Sequence, residues 1–385
     1  MTALSLPRAI VGAVCLSAFS FACFPARAAD PLAVTFQQVT HNTEREFVKQ
    51  PRWVSADPAH PGLLWRYGKA VSEKNPVPPP VFPYLGVGFG SEWVTSLVTV
   101  PLRDTETAGD IGVLPVVGSK TGLLVKQVLA DAHPHKDETG AVIRDATVLH
   151  SLKVGLPSPG QPSLEIGPAS RPIAFTIEKG STETESTDVL ESKTIADDGG
   201  DLWLAGVTPS GPNIHVFHAP GGQKWAQVKS LGHGDDPSVF ACPHHEIGVL
   251  YNDASEPLFD GKTTYLPAGH LRLTRTADNG KTWTKPEALL ADQLVALSHT
   301  SVSPNGRLYA VYETVDPKDW AERSTLWLIS SADAGRTWSA PQRVTDGSTL
   351  DSEPQALAFD DHVLVAFTRK TAAIADVWVA SVALK

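Results

Sequence analysis

The chain has 385 residues, with 32 Lys and Arg against 42 Asp and Glu, a formal charge of −10. An acidic chain without basic clusters argues against nucleic acid or an anionic membrane as partner. Ten tryptophans, 31 prolines and 30 glycines beside one methionine suit many short strands and turns, and no long amphipathic helix lies beyond the N-terminal segment. The composition therefore predicts an all-β fold.

Arg8, an apolar run from Ala9 to Phe21, and Ala26-Arg27-Ala28 have the order of a secretory signal and its cleavage site. Residues 1–28 are read as a signal peptide, cleaved after Ala28, and 29–385 as a single domain in the periplasm or outside the cell. Ser20-Phe21-Ala22 is a poor lipobox, so lipid anchoring at Cys23 is not expected. The apolar run is too short to span a bilayer, and no later segment has the length of a transmembrane helix. The mature chain keeps only Cys242, read as a buried thiol.

The runs that follow are Leu32–Val39, Trp93–Val100, Ile111–Val117 and Ile173–Ile177, all strand-like. Pro76–Pro83 reads as an extended polyproline arm and Gly180–Thr187 as a solvated acidic loop. From about residue 194 a larger unit repeats: a strand, a tight turn, a second strand, a loop and a third strand. Its first two strands lie around Thr194–Ala205, Pro237–Tyr251, Thr300–Tyr312 and Pro354–Phe367. Turns such as Asn305-Gly306 and Asp198-Gly199 have hairpin chemistry.

After the third strand, two units carry one octapeptide. Thr276-Ala277-Asp278-Asn279-Gly280-Lys281-Thr282-Trp283 recurs 55 residues on as Ser331-Ala332-Asp333-Ala334-Gly335-Arg336-Thr337-Trp338. The Asp carboxylate suits backbone N–H groups further along the turn, Gly280 and Gly335 suit φ > 0, and Trp283 and Trp338 are expected on the strand leaving it. A decayed copy, His218–Trp225, has Pro220 at the Asp position. A fourth strand after the octapeptide completes a four-stranded meander, which is one propeller blade. The predicted fold is a β-propeller of four-stranded antiparallel blades, six-bladed or alternatively seven-bladed. Blade borders are clear over 194–385 and inferred over 29–193. The last unit lacks its fourth strand, and Leu32–Val39 is the candidate to supply it.

The octapeptide resembles the Asp-box (BNR repeat) of the sialidase, or neuraminidase, superfamily. The resemblance implies a sialidase-like propeller whose Asp-boxes are structural turns remote from the site. Asp278, Gly280, Trp283, Asp333, Gly335 and Trp338 are thus structural. It implies a site where first strands (A) begin and second strands (B) end. Polar residues there include Asp236, His299, Glu313, Glu353 and Arg369, the candidate catalytic set. Carboxyls could act as acid and nucleophile or base on a glycosidic bond, and a guanidinium could hold a sugar acid. Tyr312 is expected to point away from Glu313, into the core. Arg272 and Arg275 are read as surface residues.

A working sialidase is expected to show an F/Y-R-I-P segment and three arginines gripping a carboxylate; no such segment is found here, Arg52 and Arg66 do not fit it, and Arg369 has no two companions that the sequence identifies. The residues therefore favour an exported propeller binding a glycan or a protein at its central mouth. The alternative is a glycoside hydrolase or polysaccharide lyase acting on extracellular glycans. His244-His245-Glu246 and His133-Pro134-His135 do not form a convincing metal set, and no cofactor is expected.

Overall fold

A computed structural model describes residues 33–43, 46–55, 61–69, 82–89, 92–97, 112–117, 123–136, 142–155, 163–169, 190–207, 213–222, 226–259, 265–290, 292–371 and 374–384. The signal-peptide reading, Ile173–Ile177 and the acidic loop lie outside them. So does Pro76–Val81, whereas Phe82 and Pro83, expected in the polyproline arm, instead open a strand.

Strand β1 is Val34–Gln38. The first meander is β2 (Glu46–Ser55), β3 (Gly62–Lys69), β4 (Phe82–Phe89) and β5 (Glu92–Leu97). Next come β6 (Gly112–Val117), β7 (Leu123–Lys136), β8 (Val142–Gly155) and β9 (Ser163–Ala169). The third is β10 (Leu190–Ala196), β11 (Leu202–Val207), β12 (Asn213–Ala219) and β13 (Ala226–His233). Then follow β14 (Asp235–Cys242), β15 (Glu246–Asn252), a two-stranded flap β16 (Leu258–Phe259) and β17 (Tyr265–Leu266), β18 (Leu271–Thr276) and β19 (Glu287–Ala288). The fifth is β20 (Val295–Val302), β21 (Leu308–Thr314), β22 (Thr325–Ser331) and β23 (Gln342–Arg343). The chain closes on β24 (Leu350–Ala358), β25 (His362–Thr371) and β26 (Ile374–Ala383).

Each group is an antiparallel sheet in chain order, and β1 pairs antiparallel with β26 as the missing fourth strand. The second and third groups share one eight-stranded sheet through a short parallel pairing of β6 with β10. The first strands β2, β6, β10, β14, β20 and β24 each contact the next, and β24 contacts β2. Apolar clusters lie between neighbouring sheets: Trp203, Val216, Val249 and Tyr251 join the third and fourth, and Phe240, Leu250, Leu308 and Tyr312 the fourth and fifth. Tyr312 is in the core, as expected.

The octapeptides close on themselves. Asp333 Oδ1 accepts from Thr337 N (2.8 Å) and Ser331 Oγ (2.8 Å), and Oδ2 from Thr337 Oγ1 (2.7 Å). Asp278 repeats the pattern with Thr282 and Thr276. Two successive left-handed residues, Asn279-Gly280 and Ala334-Gly335, reverse the chain. The hydrogen bonds hold both carboxyls ionised: those from Thr282 lead in bringing Asp278 down to about 2, and those from Thr337 in bringing Asp333 down. Trp283 and Trp338 differ from expectation. They lie inside the turn rather than on the fourth strand, because each indole donates back to the carbonyl of Gly280 or Gly335. Fourth strands β19 and β23 start only afterwards and have two residues each.

In the decayed copy, Gly221 (φ 57°) makes the turn, and its N–H is accepted by Asp201 of β11's leading edge (2.8 Å). A carboxylate from another strand has replaced the one that Pro220 lacks.

Candidate functional site

Register fixes two ends. Ile247 pairs with Thr276 and Leu308 with Ser331, so the octapeptides share an end with the A-to-B turns. Asp235 pairs with Asn252, Val295 with Thr314 and Asp351 with Arg369, so starts of A and ends of B share the other end, the mouth.

Five first strands carry a bulge at the mouth end, at Lys49/Arg52, Leu190/Lys193, Asp235/Ser238, Val295/Ser298 and Ser352/Gln355. In three, the bulged residue is polar, has positive φ and precedes proline: Gln50 (55°), Asp236 (45°) and Glu353 (57°). Such conformations cost about 1–3 kcal/mol each, so surrounding contacts must hold them. A bulge re-aims a side chain. Here it aims the side chain at the neighbouring sheet.

Asp236 Oδ1 accepts from Lys193 Nζ (3.0 Å), and Oδ2 accepts from the backbone N–H of Ser298. Lys193 Nζ also donates to Ser298 O (2.5 Å). One buried ion pair thus binds both ends of Ser298 and ties together β10, β14 and β20. Glu353 Oε2 accepts from Gln50 N (2.6 Å) and Thr368 Oγ1 (2.9 Å), tying β24 to β2. Asn252 Nδ2 donates to Ala296 O (2.6 Å). Lower down, Ser238 Oγ accepts from Thr300 N, His299 Nδ1 from Ala356 N (3.1 Å), and Ser301 Oγ from Ala358 N. Most neighbouring first strands share no backbone ladder, and buried N–H groups need acceptors. Side chains of the adjoining strand supply them.

The candidate residues separate accordingly. Asp236 and Glu353 are at the mouth, as expected, and both are engaged between sheets. Arg369 ends B, as expected, and its charge is engaged. It is a bidentate partner of buried Asp351 (2.7 and 2.9 Å), with its guanidinium over the rings of Phe36, Phe367 and Trp378 at 5.0–5.3 Å. His299 does not begin its strand. β20 starts at Val295, so His299 lies in mid-strand, inside the ring. Burial, then the charges of Lys193 and Arg52, push its pKa well down, and the imidazole is neutral. Nδ1 accepts from Ala356, so Nε2 carries the proton.

Glu313 is 2 % exposed, and its Oε2 has no hydrogen-bond partner among the described residues. Burial first, with the charges of Glu353 and Asp236, raises its pKa to about 8 against the opposing pull of the Ser324 hydroxyl and the Glu353 N–H. It is a neutral carboxylic acid at neutral pH. Arg275, expected at the surface, is buried at the other end beside Glu246 and Ala334 O. Glu246 itself is held by Arg336 (3.0 and 2.9 Å). Among the described residues, no three His, Cys, Asp or Glu side chains gather as a metal site, and no helix is long and apolar enough to cross a membrane.

Sequence reasoning missed Gln50, Lys193, Ser298 and Arg52. The signal was present in Gln50-Pro51, Asp236-Pro237 and Glu353-Pro354, a polar residue before proline at the head of three first strands. Its meaning needed the positive φ.

Neither a family model nor a curated protein matches the sequence. Solved structures do match. A protein of unknown function from Dyadobacter fermentans superposes with a TM-score of 0.62 at 13% identity, over 91% of this chain and 99% of that one. The Trypanosoma rangeli sialidase, as its covalent intermediate with 2,3-difluorosialic acid, gives 0.56 at 13% identity over 87% of this chain. This chain spans only 54% of that sialidase's length. The Penicillium chrysogenum α-L-arabinanase complexed with arabinobiose gives 0.54 at 12% identity, over 91% of this chain and 98% of that one. The fold is therefore a sialidase-like β-propeller.

Proposed function

We propose that this chain is an exported, non-catalytic propeller of six blades that binds a glycan at the mouth of its ring. Three of the five candidate residues, Asp236, Glu353 and Arg369, already have protein partners for their charges. Glycoside hydrolysis needs an acid and a nucleophile or base free to meet the substrate. That commitment is the observation carrying the reading. The six first strands in cyclic contact support the blade number. Glycan binding is supported by the neighbours solved with sialic acid and arabinobiose. It is also supported by Phe259, 61% exposed on the flap that links B to C at the mouth end, where a ring can stack on a sugar face. The flap sits on an apolar cluster of Ala268, Ala296 and Val315 with Leu258, Leu266 and Trp320.

A glycan array and a hydrolysis screen of the protein from residue 29 onward test this together. Binding without turnover, weakened by Phe259→Ala, is expected. Turnover of any arrayed glycan, or a protein ligand alone being retained, overturns it. Mass spectrometry of the exported protein tests cleavage after Ala28.

Glu313 supports the second reading, a glycoside hydrolase or polysaccharide lyase. A carboxyl kept protonated near neutral pH, with one oxygen unspent, suits a general acid. In that case Glu313→Gln abolishes turnover while leaving binding intact.

A further inference from the structure

The first strands enclose a cavity of about 340 Å³ inside the ring. Its lining runs the length of the strands, from Arg52, Lys193, His299 and Gln355 to Asp198 and Pro304 at the A-to-B turns. Among the described lining residues only Asp198 and Pro304 are exposed, which puts the opening at the octapeptide end. At the other end Asp236 and Glu353, tied between sheets, are not part of the wall.

Several polar groups of this wall are unspent. The guanidinium of Arg52 has no hydrogen bond or ion pair among the described residues, whereas the Lys193 ammonium of the same wall is neutralised by Asp236. His299 Nε2–H, left as a donor once Nδ1 has accepted from Ala356, has no partner among the described residues. Gln355 Oε1 and Thr194 Oγ1 are buried acceptors without partners, in residues each 2 % exposed. Orphan polar groups in a protein interior are costly, and a cavity of this size is at the small end of ligand pockets.

We infer that the channel is a second binding site, taking a small hydroxycarboxylate anion from the octapeptide face, with Arg52 as its anchor. The carboxylate meets the guanidinium fork and His299 Nε2–H as donors. Ligand hydroxyls donate to Gln355 Oε1 and exchange hydrogen bonds with Thr194. The unpaired positive charge selects an anion, and the orphan acceptors select one that carries hydroxyls. This site is apart from the rim, so its failure leaves the glycan reading untouched.

The test is calorimetric titration of the mature protein with D-gluconate, L-tartrate and citrate. Glucitol serves as the uncharged control and inorganic phosphate as the anion without carbon hydroxyls. At least one hydroxycarboxylate is expected to bind at low salt, glucitol not to bind, and phosphate to bind more weakly. Arg52→Gln should weaken binding tenfold or more. Gln355→Glu is the second variant. It places a carboxylate in the wall that Arg52 also lines, should abolish binding, and should leave the melting temperature unchanged or raised. Asp198→Lys should speed association through the lip. No binding by any of the three anions, equal binding of glucitol, or undiminished affinity in Gln355→Glu overturns the assignment. An association rate unaffected in Asp198→Lys overturns the entry face.

Discussion

The two ends of the ring are stabilised in opposite ways. At the octapeptide end Asp278 and Asp333 bind groups within four residues of themselves. At the mouth Asp236 reaches Ser298, 62 residues on, and Glu353 reaches back 303 residues to Gln50. The first kind of contact holds a turn, and the second holds the sheets to one another. A carboxylate at the mouth of such a ring is therefore weak evidence for catalysis until its partner is known.

The largest expected effect tests the mouth. Asp236→Ala leaves Lys193 buried without its counter-charge and frees the Ser298 N–H. Breaking a buried pair from one side costs about 3–5 kcal/mol. Chemical denaturation should show a loss of this order, and Asp236→Ala with Lys193→Met should recover much of it. A loss under about 1 kcal/mol in the single variant would mean that the pair does not join the sheets.

Next is the pH response of the same end. Glu313 has a folded pKa raised to about 8 from 4.5, so the folded state binds the extra proton between those values. Its contribution to stability is complete below pH 4.5 and is lost as pH rises towards 8. His299 acts in the other direction. Its depressed pKa costs stability as pH falls below its ordinary 6.5. The two oppose each other between 4.5 and 6.5. Above that Glu313 acts without this opposition, with a slope of up to about 1.4 kcal/mol per pH unit. Stability measured from pH 6.5 to 8 should fall, and Glu313→Gln should flatten the curve. An equal slope in that variant would assign the titration elsewhere.

The same contrast explains what was legible in the sequence. The octapeptide turns, the meander order and β1 as closing strand were readable, because each rests on local hydrogen bonding or strand periodicity. The mouth was readable only as a list of polar residues. Asp236 and Glu353 are where they were expected, yet nothing nearby in sequence announces Lys193 or Gln50 as partners. His299 was displaced because the bulge at Val295/Ser298 starts β20 earlier than the Thr300–Val302 run suggests. Arg369 ends its strand where it was expected, yet nothing near it in sequence announces Asp351, Phe36 and Trp378, from three different strands, as its partners. Trp283 and Trp338 were misplaced because an indole N–H folded back onto a glycine carbonyl leaves no periodicity to detect.

At the octapeptide end the effects should be smaller. Gly335 has φ 82°, and a Cβ there would come within 2.8 Å of Leu273 Cδ2. Gly335→Ala should cost more than the usual glycine-to-alanine change, about 1–2 kcal/mol. Gly200, also at positive φ (85°), has nothing within 4 Å of such a Cβ. Gly200→Ala therefore carries the backbone strain without the clash. If both variants lose the same stability, the packing of the octapeptide against Leu273 contributes nothing.

The smallest effect sharpens the comparison most. Arg336 bridges the second octapeptide to Glu246 in the A-to-B turn of the preceding sheet, so it too joins two sheets. It differs from Lys193 in burial: the Arg336 side chain is 54% exposed and that of Lys193 only 6%. Water screens such a pair, and Arg336→Ala should lose no more than about 1 kcal/mol, less again at high salt. If Arg336→Ala instead costs as much as Asp236→Ala, stability of the ring follows the reach of a contact across sheets rather than its burial. The distinction drawn between the two ends would then be wrong in its cause.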